Sequence, residues 1–136
     1  MTSLDRLAAQ KELRLEAVIY LHTSENNDRS VLKEIGDALR TKGYTVADTR
    51  LTRGRTQGDV RFFFLQDRAD AERIKFVVES ELVRRGYPIA LQLLERDGRK
   101  FQFAAPGKIE VWLPPCLTHD PKSDSMPEAC VATRQR

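Results

Sequence analysis

A nine-residue stretch occurs twice in this chain, and the repetition limits what it can fold into. Leu39-Arg40-Thr41-Lys42-Gly43-Tyr44-Thr45-Val46-Ala47 returns 43 positions later as Leu82-Val83-Arg84-Arg85-Gly86-Tyr87-Pro88-Ile89-Ala90. At the same offset Val31 maps onto Ile74 and Ile35 onto Val78. Each copy reads as the end of an amphipathic helix, a Gly that can turn left-handed without a Cβ penalty, and then an extended strand. The chain therefore carries two strand–helix–strand units.

The remaining elements follow from local pattern. Residues 1–14 are an N-terminal lead-in with Leu4, Leu7 and Ala8 at helical spacing behind the cap candidate Ser3. A first strand covers about 15–22. Asn27, Asp28 or Ser30 caps a helix running to Lys42, with Val31, Leu32, Ile35, Ala38 and Leu39 on one face. Gly36 inside that helix predicts close approach to a sheet. A second strand spans about 44–52, and Arg53 to Gly58 reads as a hairpin loop. The most apolar run, 59–65, is the third strand. Asp67 is positioned to cap the second helix, whose inward face is Ala71, Ile74, Val77, Val78 and Leu82. A fourth strand follows at 89–94. Asp97-Gly98 and Pro106-Gly107 then predict turns around two short strands, 100–103 and 109–113. Beyond Pro114-Pro115 the composition turns polar and proline-rich, so residues 115–136 are expected to be a disordered tail.

The expected architecture is α+β: a single domain over 15–114 with a ferredoxin-like βαββαβ sandwich, an antiparallel sheet carrying both helices on one face, and an appended C-terminal hairpin. A doubly wound parallel sheet is the rival. It fits less well, because strands two and three are joined by a short hairpin rather than a helical crossover. In the favoured topology one rim gathers His22, Arg29, the hairpin residues Arg53 and Arg55, and the helix-terminal Arg84 and Arg85. Such a rim beside a helix N-terminus favours anions.

Composition enters as a boundary. With 136 residues, 40% hydrophobic and 32% charged, the chain can bury a core without metals. A net charge of +3 leaves the placement of charge more informative than its total. No apolar run approaches the roughly 20 residues that span a bilayer, and charges interrupt the N-terminus where a signal sequence would be apolar. The expectation is no membrane insertion and a cytoplasmic location by default. Cys116 and Cys130 lack metal-ligand spacing and read as incidental thiols, with a tail disulfide as the alternative.

No phosphate loop, nucleophile elbow or metal motif is present, so neither cofactor nor metal is expected. His22 and His119 are the two histidines. A hydrolase would have to be built on His22 with Glu25 or Asp28. Tyr20, Arg61 and Phe63 share what is predicted to be the open sheet face, where aromatics stack bases in RNA-binding sheets. Phe101, Phe103 and Trp112 could instead cover that face.

Three family resemblances bear on function. Phe62-Phe63-Phe64-Leu65-Gln66-Asp67-Arg68-Ala69-Asp70-Ala71-Glu72 resembles the third-strand-to-helix passage of RNA-recognition motifs, without the glycines of their RNP1 pattern. Residues 16–83 resemble the LytR C-terminal type of domain and, more loosely, SPOR domains. The matching features are the first strand, the helix ending Leu39-x-x-x-Gly43-Tyr44-x-Val46, the hairpin, Val60-Arg61-Phe62-Phe63 and the Ala71-containing helix. That resemblance implies a small sheet-and-two-helix module attached to bacterial cell-envelope and other multidomain proteins. Where those domains carry a Gly-containing loop, this chain reads His22-Thr23-Ser24-Glu25-Asn26-Asn27, so no family site is carried over. The opening strand, Thr-Ser-Glu and helix are also similar to the start of TIR domains.

The sequence thus leads to a non-catalytic recognition module that binds a polymer or protein partner through the basic rim or the open sheet face. Single-stranded nucleic acid on the open face is the alternative, and a His22-based hydrolase or TIR-like nucleotide-acting enzyme is the third reading. Strand edges also permit a homodimer.

Overall fold

A computed structural model of the chain describes residues 17–25, 27–52, 58–102 and 104–117. The elements are β1 (Val18–Thr23), α1 (Arg29–Thr41), β2 (Thr45–Val46), β3 (Arg50–Leu51), β4 (Asp59–Phe62), α2 (Arg68–Arg84), β5 (Gln92–Glu95) and β6 (Lys108–Trp112). Short 3-10 turns at Leu65–Asp67 and Gly98–Lys100 precede α2 and follow β5. The lead-in, Arg53, Arg55, Phe103, His119 and Cys130 lie outside the described residues.

The duplication is real at the level of architecture, but its two units are not split. β1 pairs in parallel with β2, and β4 pairs in parallel with β5, so each repeat is a β-α-β unit with adjacent strands. The ferredoxin-like order, in which all neighbouring strands run antiparallel, is therefore corrected to a mixed sheet, β2-β1-β6-β4-β5, with β3 beside β2 along β1. The expected C-terminal hairpin is also corrected. Gly98–Lys100 is a 3-10 turn, and the single strand β6 runs through the centre of the sheet. It pairs in parallel with β1 and antiparallel with β4. The physical reason lies in alternation: Ile109, Val111 and Leu113 are all 0% exposed, a pattern a central strand requires and an appended edge does not.

The helices pack on each other and on one face of the sheet. Ile19 and Leu21 of β1, Ile35 and Leu39 of α1, and Ile74, Val78 and Leu82 of α2 form the core with β4 and β6. Each completely buried Ile or Leu contributes about 1.5–3 kcal/mol, so this layer is the main source of stability. Gly43 and Gly86 both have φ of 95°, the left-handed exit from each helix that the repeat predicts.

Two expected caps divide. Asp28 caps α1 by accepting from the Ser30 N–H at 2.9 Å. Asp67 precedes α2 without a side-chain cap; its carboxylate instead accepts from the Gly107 N–H at 2.9 Å, pinning the turn before β6. Burial pushes the Asp67 carboxyl up. The first neighbours a Cβ at Gly36 would meet belong to its own helix rather than to the sheet. A Cβ there would find the Arg40 guanidinium first, at 3.2 Å.

Cys116 and Leu117, expected in the tail, are buried in the core. Cys116 is disulfide-bonded rather than an incidental thiol. Asn27 anchors this segment: its amide donates to Thr23 Oγ1 and to the Pro114 carbonyl, both at 2.9 Å, and its carbonyl accepts from the Leu117 N–H at 2.9 Å.

Asn27→Ala orphans these buried groups and should cost about 3 kcal/mol, read as a lower urea midpoint. Gly36→Ala should raise the midpoint by up to about 1 kcal/mol, because a flexible Arg40 can yield while helix propensity improves. A destabilised Gly36→Ala would mean that the neighbour at that point is rigid.

Candidate functional site

One face of the sheet carries the helices; the other carries a layer of cations and rings. Strand alternation decides the sorting. Ile19, Leu21, Val60, Phe62, Ile109 and Val111 point to the core, so Tyr20, His22, Asp59, Arg61, Lys108, Glu110 and Trp112 point away from it. Register then sets these side chains in rows. Arg50, His22, Trp112 and Asp59 stand opposite one another across β3, β1, β6 and β4. In the next row stand Tyr20, Glu110, Arg61 and Leu94.

The rings are enclosed by their neighbours. His22 stacks on Trp112 with centroids 4.1 Å apart and planes 2° from parallel. The Arg61 guanidinium sits 4.1 Å from the same indole centroid. Because β6 lies between β1 and β4, His22 and Arg61 cover opposite faces of Trp112. Tyr20 is flanked in the same manner, by Arg50 at 5.3 Å from β3 and Lys108 at 4.7 Å from β6. Cation–π contacts of this kind contribute about 0.5–2 kcal/mol each. Phe63 is buried, with Phe101 edge-on to it at 5.6 Å. Phe101 thus seals one corner, and the remainder is a depression of about 560 Å³ walled by Arg50, Arg61, Arg96 and Lys108.

Glu110 occupies the centre of this layer, 6% exposed. Its Oε1 accepts from the Trp112 indole N–H at 3.0 Å, and its Oε2 lies 3.6 Å from His22 Nε2. Burial alone would raise the Glu110 carboxyl. The His22 imidazole, the Trp112 N–H and the Lys108 charge together outweigh that and hold it below the ordinary carboxylate range. At 3.6 Å the imidazole acts through proximity, since His22 Nε2 is buried without a hydrogen-bond partner. Asp59 is taken up by Arg61, which donates to it at 2.7 Å. Four cations therefore face two carboxylates, and the depression is electropositive.

The sequence-derived rim residues are dispersed. His22 belongs to the bare face. Arg29 lines a separate groove of about 650 Å³ at the start of α1, with Thr23, Glu25 and Lys33. Arg84 and Arg85 do meet the first turns of α1, as the topology predicts, but Glu34 accepts ion pairs from both, at 3.0 and 2.9 Å. Arg84 also pairs with Glu81 at 2.6 Å and holds that carboxyl below its ordinary range. Those positive charges are neutralised in place. Arg53 and Arg55 fall outside the described residues.

Tyr20, Arg61 and Phe63 do share the bare face, as the alternation predicts. Sequence reasoning missed Arg50, Arg96, Lys108 and Glu110 as members of it and had Trp112 only as a cover for that face. The alternation Lys108-x-Glu110-x-Trp112 carried the signal, but only the central placement of β6 brings it beside Tyr20 and Arg61. The partners considered for His22 do not serve it: Asp28 caps α1, and Glu25 lines the other groove. Among the described residues no group of three His, Cys, Asp or Glu could hold a metal ion, and no helix is long and apolar enough to cross a membrane. Among the described residues the depression is lined by charged and aromatic side chains, without a hydroxyl or thiol.

Because Glu110 is held low, its contribution is complete above the ordinary glutamate value near 4.5 and is lost as pH falls through the lower folded value. Glu110→Gln keeps the shape and an acceptor for Trp112 but removes the charge. Its urea midpoint should lie below wild type at pH 7, and the gap should close as pH falls through the lowered Glu110 value. A gap that stays constant with pH would refute the electrostatic role.

No family model matches this sequence, and neither a curated protein nor a solved structure matches it, so the site is read from its own geometry.

Proposed function

We propose that this chain is a non-catalytic recognition module whose bare sheet face binds an anionic partner, either an acidic protein segment or a polyanion. One observation carries the reading. Arg50, Arg61, Arg96 and Lys108 converge on a single depression; ring contacts to Tyr20 and Trp112 hold Arg50, Lys108 and the Asp59-paired Arg61 over the sheet, and Arg96 joins them at its wall. A sheet gives such groups fixed spacing at little entropic cost, and a positive depression raises both affinity and encounter rate for anions.

The same geometry weighs against base stacking as the means of recognition. Stacking requires an open ring face, and the rings of Tyr20 and Trp112 already hold Arg50, Lys108, His22 and Arg61 against them. A nucleic acid held here would be held by its phosphates. The rim reading is weaker on the same grounds, because Glu34 and Glu81 already neutralise Arg84 and Arg85.

The test uses fluorescein-labelled polyglutamate and an oligothymidylate, titrated with the protein at about 50 and 200 mM salt. Wild type should bind at low salt and weaken steeply at high salt. Arg50→Glu with Arg96→Glu should lower affinity at least about tenfold, equivalent to 1.4 kcal/mol, whereas Arg84→Glu with Arg85→Glu should leave it unchanged. Absence of binding by wild type to either probe at low salt would end this proposal.

A further inference from the structure

The outer face of α2 carries a second feature, unrelated to the sheet face. Leu65, Phe76 and Val83 are 68%, 70% and 58% exposed, three of the four large apolar residues exposed among those described. Phe76 and Val83 are 7 residues apart, two helical turns to within about 20°, so at 100° per residue they align on one side of α2, and Leu65 stands in the turn before it. The inward face of the same helix is the core face of Ala71, Ile74, Val78 and Leu82. A helix apolar on both sides is built to be covered on both sides.

Beside these residues runs a groove of about 850 Å³ between α1 and α2. Ala38, Ala69 and Ser80 are small residues along it, Tyr44 and Val77 add apolar surface, and Phe76 forms part of its wall. A projecting ring and an adjacent hollow on one surface form an isologous pair of features: two copies related by a two-fold axis can each place Phe76 in the other's groove.

Charge selects that occupant over a strongly charged one. Arg68 pairs with Glu72, Arg73 with Asp70, Lys75 with Glu79 and Arg84 with Glu81, so the charges along α2 balance within the helix. A neutral face meets its own copy without like-charge repulsion, which two of the cationic sheet faces could not do.

The geometry points to self-association of this chain through the outer face of α2, with Phe76 of each copy seated in the α1–α2 groove of the other. The helix of 17 residues is about 25 Å long. Two such faces bury on the order of 1,000 Å², the low end for specific interfaces.

Sedimentation velocity of the full chain from about 1 to 500 µM tests this. Wild type should shift from monomer to dimer across that range. Phe76→Glu with Val83→Glu should remain monomeric throughout, with unchanged helical circular dichroism. Ala69→Trp, an exposed position whose ring would fill the groove, should weaken association at least tenfold. Arg50→Glu with Arg96→Glu should leave association intact, separating this inference from the proposed binding function. A wild type that stays monomeric at 500 µM overturns the inference. So does a dimer that survives the Phe76 and Val83 replacements, since its interface must then lie elsewhere.

Discussion

The hydrogen bonding of β6 to both of its neighbours is the constraint on which the rest of the molecule depends. Each β-α-β unit satisfies only one side of its first strand. β1 turns its other side towards the middle of the sheet, and β4 does the same from the opposite direction. β6 meets both sets of backbone groups, in parallel with one and antiparallel with the other. Without it two half-sheets would stand with unpaired inner strands, each costly to bury and open to mispairing.

The same strand sets up the chemistry. Ile109 and Val111 join the halves of the core on one face, while Lys108, Glu110 and Trp112 join the two halves of the polar face on the other. Tyr20 and Arg61 belong to different repeats, and they enter one network only because β6 supplies the lysine beside the first and the indole beneath the second. Glu110 at its centre is surrounded by donors and positive charge, which keeps a buried carboxylate ionised where burial alone would not. The bare face is therefore a preorganised layer, in contrast to the helix-end arginines, whose pairing with Glu34 and Glu81 leaves little charge for a ligand.

What the sequence disclosed follows the range of its signals. Periodicity and the repeated Gly-Tyr located both helices, their left-handed exits and the first and third strands, because those depend on neighbours within a few residues. The pairing of strands was not local. Whether a β-α-β unit lies closed or split is decided by what enters between its strands, and the 109–113 segment looked like an edge because Asp97-Gly98 looked like a hairpin. Its alternation was visible, its destination was not. Asp67 shows the same limit on a smaller scale: its position before a helix suggested a cap, while a turn 40 residues away claims its carboxylate. Cys116 and Leu117 were hidden among prolines, and their burial follows from the Asn27 amide, which reaches across from the β1–α1 loop.

The strand at the centre of the sheet follows both repeats in chain order. As the chain leaves the ribosome, both repeats are complete before β6 emerges, and each presents an apolar inner strand with nothing beside it. Final closure of the sheet must wait for residues beyond 108, which pair with the inner edges of both repeats. Among the described residues the innermost strand is also the last in chain order, and it leaves the sheet with few exposed edges.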